Sequence, residues 1–221
     1  MKMKQKLVAG AIALSAMAGF SVPAAHAEVS ASVGAANMYY WRGFDLGGGD
    51  AQVWGDINVS AAGFYGGVWA SSGDAAMGQE YDLYAGYGHE FGDFTVDVSL
   101  WSYNYPSSDD GVAPGDLTEA VIALGYGPVT ATYYKNIASK FGDNSYTYAT
   151  LAVELGKVTL KYGVHSQDDQ GEGTLDEVAH IDATYAYNDK LSFTVGKIVD
   201  DGISKVGDEA KFVVAFSLPI E

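Results

Sequence analysis

Seven acids stand where alternation along extended segments puts them on one face: Asp56, Glu80, Asp82, Asp97, Glu119, Glu154 and Asp182. Lys161 and Lys211 fall on the corresponding face of their own segments. Successive side chains of a strand point to opposite sides, so each of these charges is backed by an apolar face carrying residues such as Ile57, Leu83 and Leu151. One reading is an acidic lining around water that favours cations or neutral solutes over anions. The other is that acids and lysines pair and fill the interior. Arg42, the only arginine, sits in Tyr39-Tyr40-Trp41-Arg42-Gly43 at the expected rim of the first loop. There its planar fork of donors suits a carboxylate, from a solute or from a neighbouring loop, and purely structural pairing is the alternative.

Other chemistries find little footing. Past the N-terminal segment the histidines are His89, His165 and His180, without metal-binding spacing, and no cofactor motif is present. A lipid-cleaving barrel needs a nucleophile and a base in reach of each other. Its candidate here is His165 beside Ser166, but strand neighbours face opposite ways. Gln167-Asp168-Asp169-Gln170-Gly171-Glu172 lacks the calcium-loop spacing; it reads as a solvated loop, or one bridged by divalent ions to anionic lipid headgroups. A formal charge of −16 argues against nucleic acid as a partner, because phosphate binding needs clustered Lys and Arg. The absence of cysteine leaves the redox compartment unread.

The elements that position these groups are two-faced strands. In Tyr81–Tyr105, Tyr81, Leu83, Ala85 and Tyr87 alternate with Asp82, Tyr84 and Gly86. After Gly92-Asp93, Phe94, Val96, Val98 and Leu100 alternate with Thr95, Asp97 and Ser99. About twelve such segments follow one another, near 29–41, 51–61, 64–72, 79–90, 94–105, 117–126, 129–137, 145–155, 158–166, 177–187, 190–199 and 210–218. Most approach the 9–11 residues that a tilted strand needs to cross a bilayer. Every second connection is very short, as at Ala62-Gly63, Gly92-Asp93, Gly127-Pro128, Gly156-Lys157 and Asn188-Asp189. The connections between these are longer and rich in acid and glycine. A membrane barrel with short turns at one end and long loops at the other has this rhythm, whereas a soluble sandwich has no reason for it. Phe64, Phe94, Tyr126 and Tyr187 flank short turns, where rings sit at the headgroup level.

Two stretches need separate treatment. In the first segment Val29, Ala31, Val33 and Ala35 make an apolar face, but Asn37 then falls on it. A bulge would repair the alternation and would also change the side on which Arg42 lies. Residues 1–27 combine Lys2, Lys4 and Lys6 with the apolar run Leu7–Phe20 and Ala25-His26-Ala27. That is a secretory signal cut before Glu28, the run being shorter than a membrane-spanning helix. Losing its three lysines takes the charge from −16 to −19.

Asn37–Phe44 (NMYYWRGF), Gly63–Ser71 (GFYGGVWAS) and Glu80–Tyr87 (EYDLYAGY), followed by Tyr103-Asn104-Tyr105-Pro106 and Thr118-Glu119-Ala120, resemble the TorF-type porin family of bacterial outer membranes. The match keeps the family's order up to about Gly127 and is carried by strand rhythm beyond it. The resemblance implies an outer-membrane barrel of a Gram-negative bacterium acting as a pore. It implies dealings with outer-membrane lipid, lipopolysaccharide and the barrel-assembly machinery, and brings no catalytic residues. One departure is the C-terminus, where the chain runs past Phe216 to Glu221 instead of ending on an aromatic. The expected protein is an all-β transmembrane antiparallel up-and-down β-barrel of about twelve strands, passing small hydrophilic solutes. A plugged structural barrel or an adhesin with acidic loops is the alternative, and a barrel-embedded lipid enzyme is a third.

Overall fold

The computed structural model describes residues 27–109, 111–142, 144–168, 175, 177–202 and 208–220. The expected signal peptide, apart from Ala27, and most of the acidic loop after Gln167 lie outside them.

Strands whose one face is apolar and other face polar can bury every backbone hydrogen bond only by closing on themselves. The wall runs β1 (Glu28–Ala36), β4 (Gln52–Ala61), β5 (Phe64–Asp74), β6 (Gly78–Phe91), β7 (Phe94–Asn104) and β8 (Leu117–Tyr126). It continues with β9 (Val129–Ser139), β10 (Thr147–Leu155), β11 (Val158–Ser166), β12 (Val178–Ala186), β13 (Leu191–Asp201) and β14 (Lys211–Ile220). A two-stranded piece, β2 (Tyr40–Trp41) and β3 (Phe44–Asp45), lies apart from the wall. Each wall strand pairs antiparallel with its sequence neighbours, and β1 closes the ring against β14 with Val33 opposite Leu218. The protein is a closed barrel of twelve antiparallel strands, the number and order expected from alternation.

The two faces fall as the alternation requires. Ile57, Leu100, Leu151 and Phe212 are more than half exposed on the outer surface, which suits a lipid surround. Phe64, Phe94, Tyr126 and Tyr187 are likewise exposed beside the short turns. Within the barrel, bulky rings lie over glycines of the adjacent strand. Tyr65 is the cross-strand partner of Gly86 and Tyr84 of Gly67, while His180 faces Gly163 and Trp54 faces Gly34. A Cβ added at any of these glycines would overlap the ring beside it. The glycine count of 28 therefore has a packing cause as well as a turn cause.

The first strand departs from expectation. The wall segment stops at Ala36 rather than running to Trp41. Asn37 ends it: its Nδ2 donates to Phe212 O at 2.9 Å, and Val214 N donates to its Oδ1 at 2.6 Å. The side chain thus satisfies the groups of β14 that a continuing strand would have paired. The backbone is released, and instead of a bulge the chain folds inward as the β2–β3 hairpin.

Candidate functional site

The hairpin that enters the lumen is a two-residue turn with Tyr40 opposite Asp45 and Trp41 opposite Phe44. Its tip is Arg42 at φ 46° and Gly43 at φ 96°. Both central positions of such a turn need positive φ, which Gly adopts freely and Arg adopts at a cost of order 1–3 kcal/mol. A non-glycine residue stays there only where its surroundings hold it, and those of Arg42 do. Its Nη2 donates to Glu119 Oε2 at 2.6 Å and its Nη1 to Glu119 Oε1 at 3.0 Å, a bidentate pair. Nη1 also donates to the Tyr146 hydroxyl at 3.0 Å. The guanidinium carbon lies 4.4 Å from the Tyr134 ring centre and 4.6 Å from those of Tyr148 and Trp41. Tyr103 donates to Glu119 Oε2 at 2.7 Å, fixing the carboxylate from its far side. Burial, the largest single influence, would lower the pKa of Arg42, but Glu119 together with Tyr146 and Tyr103 raises it well above the ordinary value. The pair is ionic.

The hairpin is tied at further points, two of them on wall carboxylates and one on a wall histidine. Tyr39 donates to Glu80 Oε2, and Tyr105 of the wall side donates to Glu80 Oε1 at 2.8 Å. Tyr40 donates to Asp182 Oδ1. Lys161 reaches Asp182 Oδ2 at 2.8 Å and His180 Nδ1 reaches Asp182 Oδ1 at 3.0 Å. A carboxylate only accepts, so Nδ1 of His180 carries a proton and points it at Asp182. The Tyr148 hydroxyl meets His180 Nε2 at 2.7 Å. His165 Nε2 lies 2.9 Å from the carbonyl oxygen of Arg42, which also only accepts, so Nε2–H is the donor. The Tyr146 hydroxyl lies 2.9 Å from His165 Nδ1 and donates to it, while accepting from Arg42. His165 and His180 are both fully buried.

Away from the hairpin, toward the short turns, the acids bond to tyrosines. Tyr84 donates to Asp56 Oδ2 at 2.8 Å and accepts from Asn58 Nδ2 at 3.1 Å. Tyr65 donates to Asp97 Oδ1 at 2.9 Å, and Tyr84 stacks on Trp101 at 4.4 Å. The lumen is packed level with the hairpin, where Tyr148, His165 and His180 are sealed. On the same strands but nearer the short turns, Thr150, Lys161 and Thr184 are half-buried and Glu154 is exposed. The hairpin folded in from one end fills the lumen at its own level, and toward the short turns the inner-face residues Tyr65, Asp97, Ser192 and Thr194 are buried as well.

Asp56, Glu80, Asp82, Asp97, Glu119, Lys161 and Asp182 all occupy the inner face, as alternation requires. Glu80, Asp82, Asp97, Glu119 and Asp182 are buried, not spread along open water. Glu154 belongs to the exposed short-turn end, and Lys211 is half-buried at the start of β14, opposite Gly196. Arg42 corrects its expected place. It is 9% exposed inside the barrel, not at the rim, because Asn37 ends the wall strand early. Acid–lysine pairing fills little of the interior: among the described residues of the inner wall, Lys161–Asp182 is its one instance. Tyrosine hydroxyls do most of that work. Tyr39, Tyr40, Tyr134, Tyr146 and Tyr148 were not foreseen as site residues, though a chain with 16 tyrosines and its only arginine in a Tyr-Tyr-Trp-Arg run carried the signal. His165 points inward and Ser166 outward, so the two do not converge as nucleophile and base.

The chain belongs to the Gcw_chp family of bacterial proteins of unknown function, whose model matches residues 21–206. No curated protein matches it. Among solved structures it is similar to outer membrane phospholipase A from Escherichia coli, at 10% identity, TM-score 0.45, covering 85% of this chain and 88% of that one. It is also similar to a triple mutant of the Rh. blastica porin, at 11% identity, TM-score 0.39, covering 87% of this chain and 100% of that one.

Proposed function

We propose that this Gcw_chp protein is an outer-membrane channel of narrow bore for small hydrophilic solutes, held shut in the present conformation by its first loop. The observation that carries the reading is the nature of the closure. The blocking segment is a loop hairpin joined to the wall through side chains, at Glu80, Glu119 and Asp182. It can leave without breaking a strand pair of the barrel. A lumen filled only by wall side chains would have no such route. Once the hairpin is out, the carboxylates it covers join Asp56, Asp97 and Glu154 on an inner face rich in acid. That face favours cations or neutral solutes over anions. The reading places the protein, after loss of a signal peptide, in the outer membrane of a Gram-negative bacterium. There the assembly machinery inserts it and its exposed face meets lipid and lipopolysaccharide. It also agrees with the resemblance of Asn37–Phe44 and Glu80–Tyr87 to TorF-type porins.

Planar-bilayer recording of the purified barrel tests this. Discrete, cation-preferring current steps are expected, rare in the native protein and frequent once the hairpin is loosened. A second reading, a permanently plugged structural barrel or adhesin, is favoured by the bidentate, fully covered Arg42–Glu119 pair. It predicts no current at any voltage, with the hairpin intact or loosened.

A further inference from the structure

The pocket around Arg42 is built mainly by the wall, the hairpin adding only the Trp41 ring at 4.6 Å. Glu119 presents its two carboxylate oxygens one to each terminal nitrogen of the guanidinium, and Tyr103 holds that carboxylate in place. Tyr134 and Tyr148 present ring faces at 4.4 and 4.6 Å from the guanidinium carbon. Tyr146 offers its hydroxyl oxygen to the same nitrogen that binds Glu119 Oε1. These groups come from β7, β8, β9, β10 and the residue before β10, and they remain when the hairpin departs. With the hairpin seated, Glu119, Tyr134 and Tyr148 are each at most 3% exposed, so Arg42 leaves little of the site uncovered.

We propose that this pocket is a binding site for guanidinium-type cations, that Arg42 fills it in cis, and that a small guanidinium-bearing solute replaces Arg42 when the hairpin opens. The donor set selects the ligand. Two parallel acceptors match a planar fork of N–H groups; a compact ammonium can satisfy them only one at a time. The tyrosine faces favour a flat, weakly hydrated cation over a strongly hydrated one. Glu119 excludes anions. Among the described residues no three His, Asp or Glu side chains converge to hold a metal ion. The inference deepens the channel reading, naming the solute class, and rests on that reading only for how the ligand arrives.

The test is chemical replacement in the full-length barrel. Arg42→Ala empties the pocket; methylguanidinium is the probe, with methylammonium and tetramethylammonium as controls at equal ionic strength. Thermal unfolding in detergent reads binding and bilayer current reads passage. Methylguanidinium is expected to stabilise Arg42→Ala saturably, at concentrations at least about tenfold below those of methylammonium, and to shut its current. The native protein, already occupied, should respond weakly. Arg42→Ala/Glu119→Gln should lose the preference. Equal responses to all three cations, or an undiminished preference without Glu119, would overturn the proposal. If Arg42→Ala does not assemble, Arg42→Lys, which keeps a charge but lacks the fork, serves instead: displacement by methylguanidinium supports the site and its absence refutes it. Selective binding to a barrel that carries no current even before the cation is added would sink the channel reading and leave the site standing. Current with no selective binding would do the reverse.

Discussion

Glu119→Gln is the most direct perturbation of the closed state. Gln keeps the shape of Glu119 but removes its charge, and turns an amide NH2 toward guanidinium nitrogens that the carboxylate oxygens met at 2.6 and 3.0 Å. Breaking a buried ion pair from one side costs on the order of 3–5 kcal/mol, since a charge is left without its partner. The ring contacts with Tyr134 and Tyr148 survive in the variant and so do not reduce that loss. Arg42 can escape it by leaving with the hairpin, and the wall strands of β1 to β14 keep their pairing when it does. The cost therefore falls on hairpin docking. Taking the lower figure, about 3 kcal/mol shifts the open-to-closed ratio by roughly a hundredfold, at ~1.4 kcal/mol per factor of ten. Open probability in planar bilayers measures this, with heat-modifiable gel mobility confirming that the barrel is folded. A folded Glu119→Gln barrel whose open probability lies within about threefold of the native value would refute the reasoning that this pair holds the hairpin shut.

Other perturbations separate the hairpin from the wall. The chain has no cysteine, so Gly43→Cys/His180→Cys creates a lone pair. A Cβ at Gly43, strained at its φ of 96°, lies 3.0 Å from that of His180, so a disulfide forms with a shift of about half an ångström or more, and oxidation should suppress current that reductant restores. Current unaffected by reductant would mean that the hairpin is not the gate. Gly163→Ala drives a methyl into the His180 ring and the Tyr148 hydroxyl and should lower barrel stability by about 1–3 kcal/mol in urea titrations. Gly92→Ala, with nothing within 4 Å, should cost only the strain of its φ of 68°. Leu151→Arg, on the outer face at 54% exposure, should destabilise the barrel in lipid by about 2–4 kcal/mol, a result that a water-exposed outer face would not produce. Asp182→Asn weakens an acceptor shared by Tyr40, His180 and Lys161 and should raise open probability as well, but less than Glu119→Gln because no bidentate pair is lost.

Period-two alternation was legible because it is local. A charge facing lipid is costly at every strand separately, so Asp56, Asp97, Glu119 and Asp182 had to take the inner face whatever the rest of the chain did. The alternation of short turns with long loops likewise follows from counting, and with it the twelve-strand closure. What surrounds each inner residue was not legible. One partner of Glu80 is Tyr39, 41 residues away, and one of Glu119 is Arg42, 77 residues away. Those distances in sequence collapse only because Asn37 caps β14, ends β1 and turns the next residues into the lumen. The sequence showed Asn37 as a fault in the apolar face, but a bulge and an inward turn share that sign. Choosing between them needed the position of β14 on the far side of the closure. The amino-acid sequence by itself thus determined which faces meet oil and which meet one another. Only the tertiary structure decided that the enclosed space is filled by Arg42 and its tyrosines, because a side chain inside a closed wall has neighbours on every side and its own strand specifies few of them.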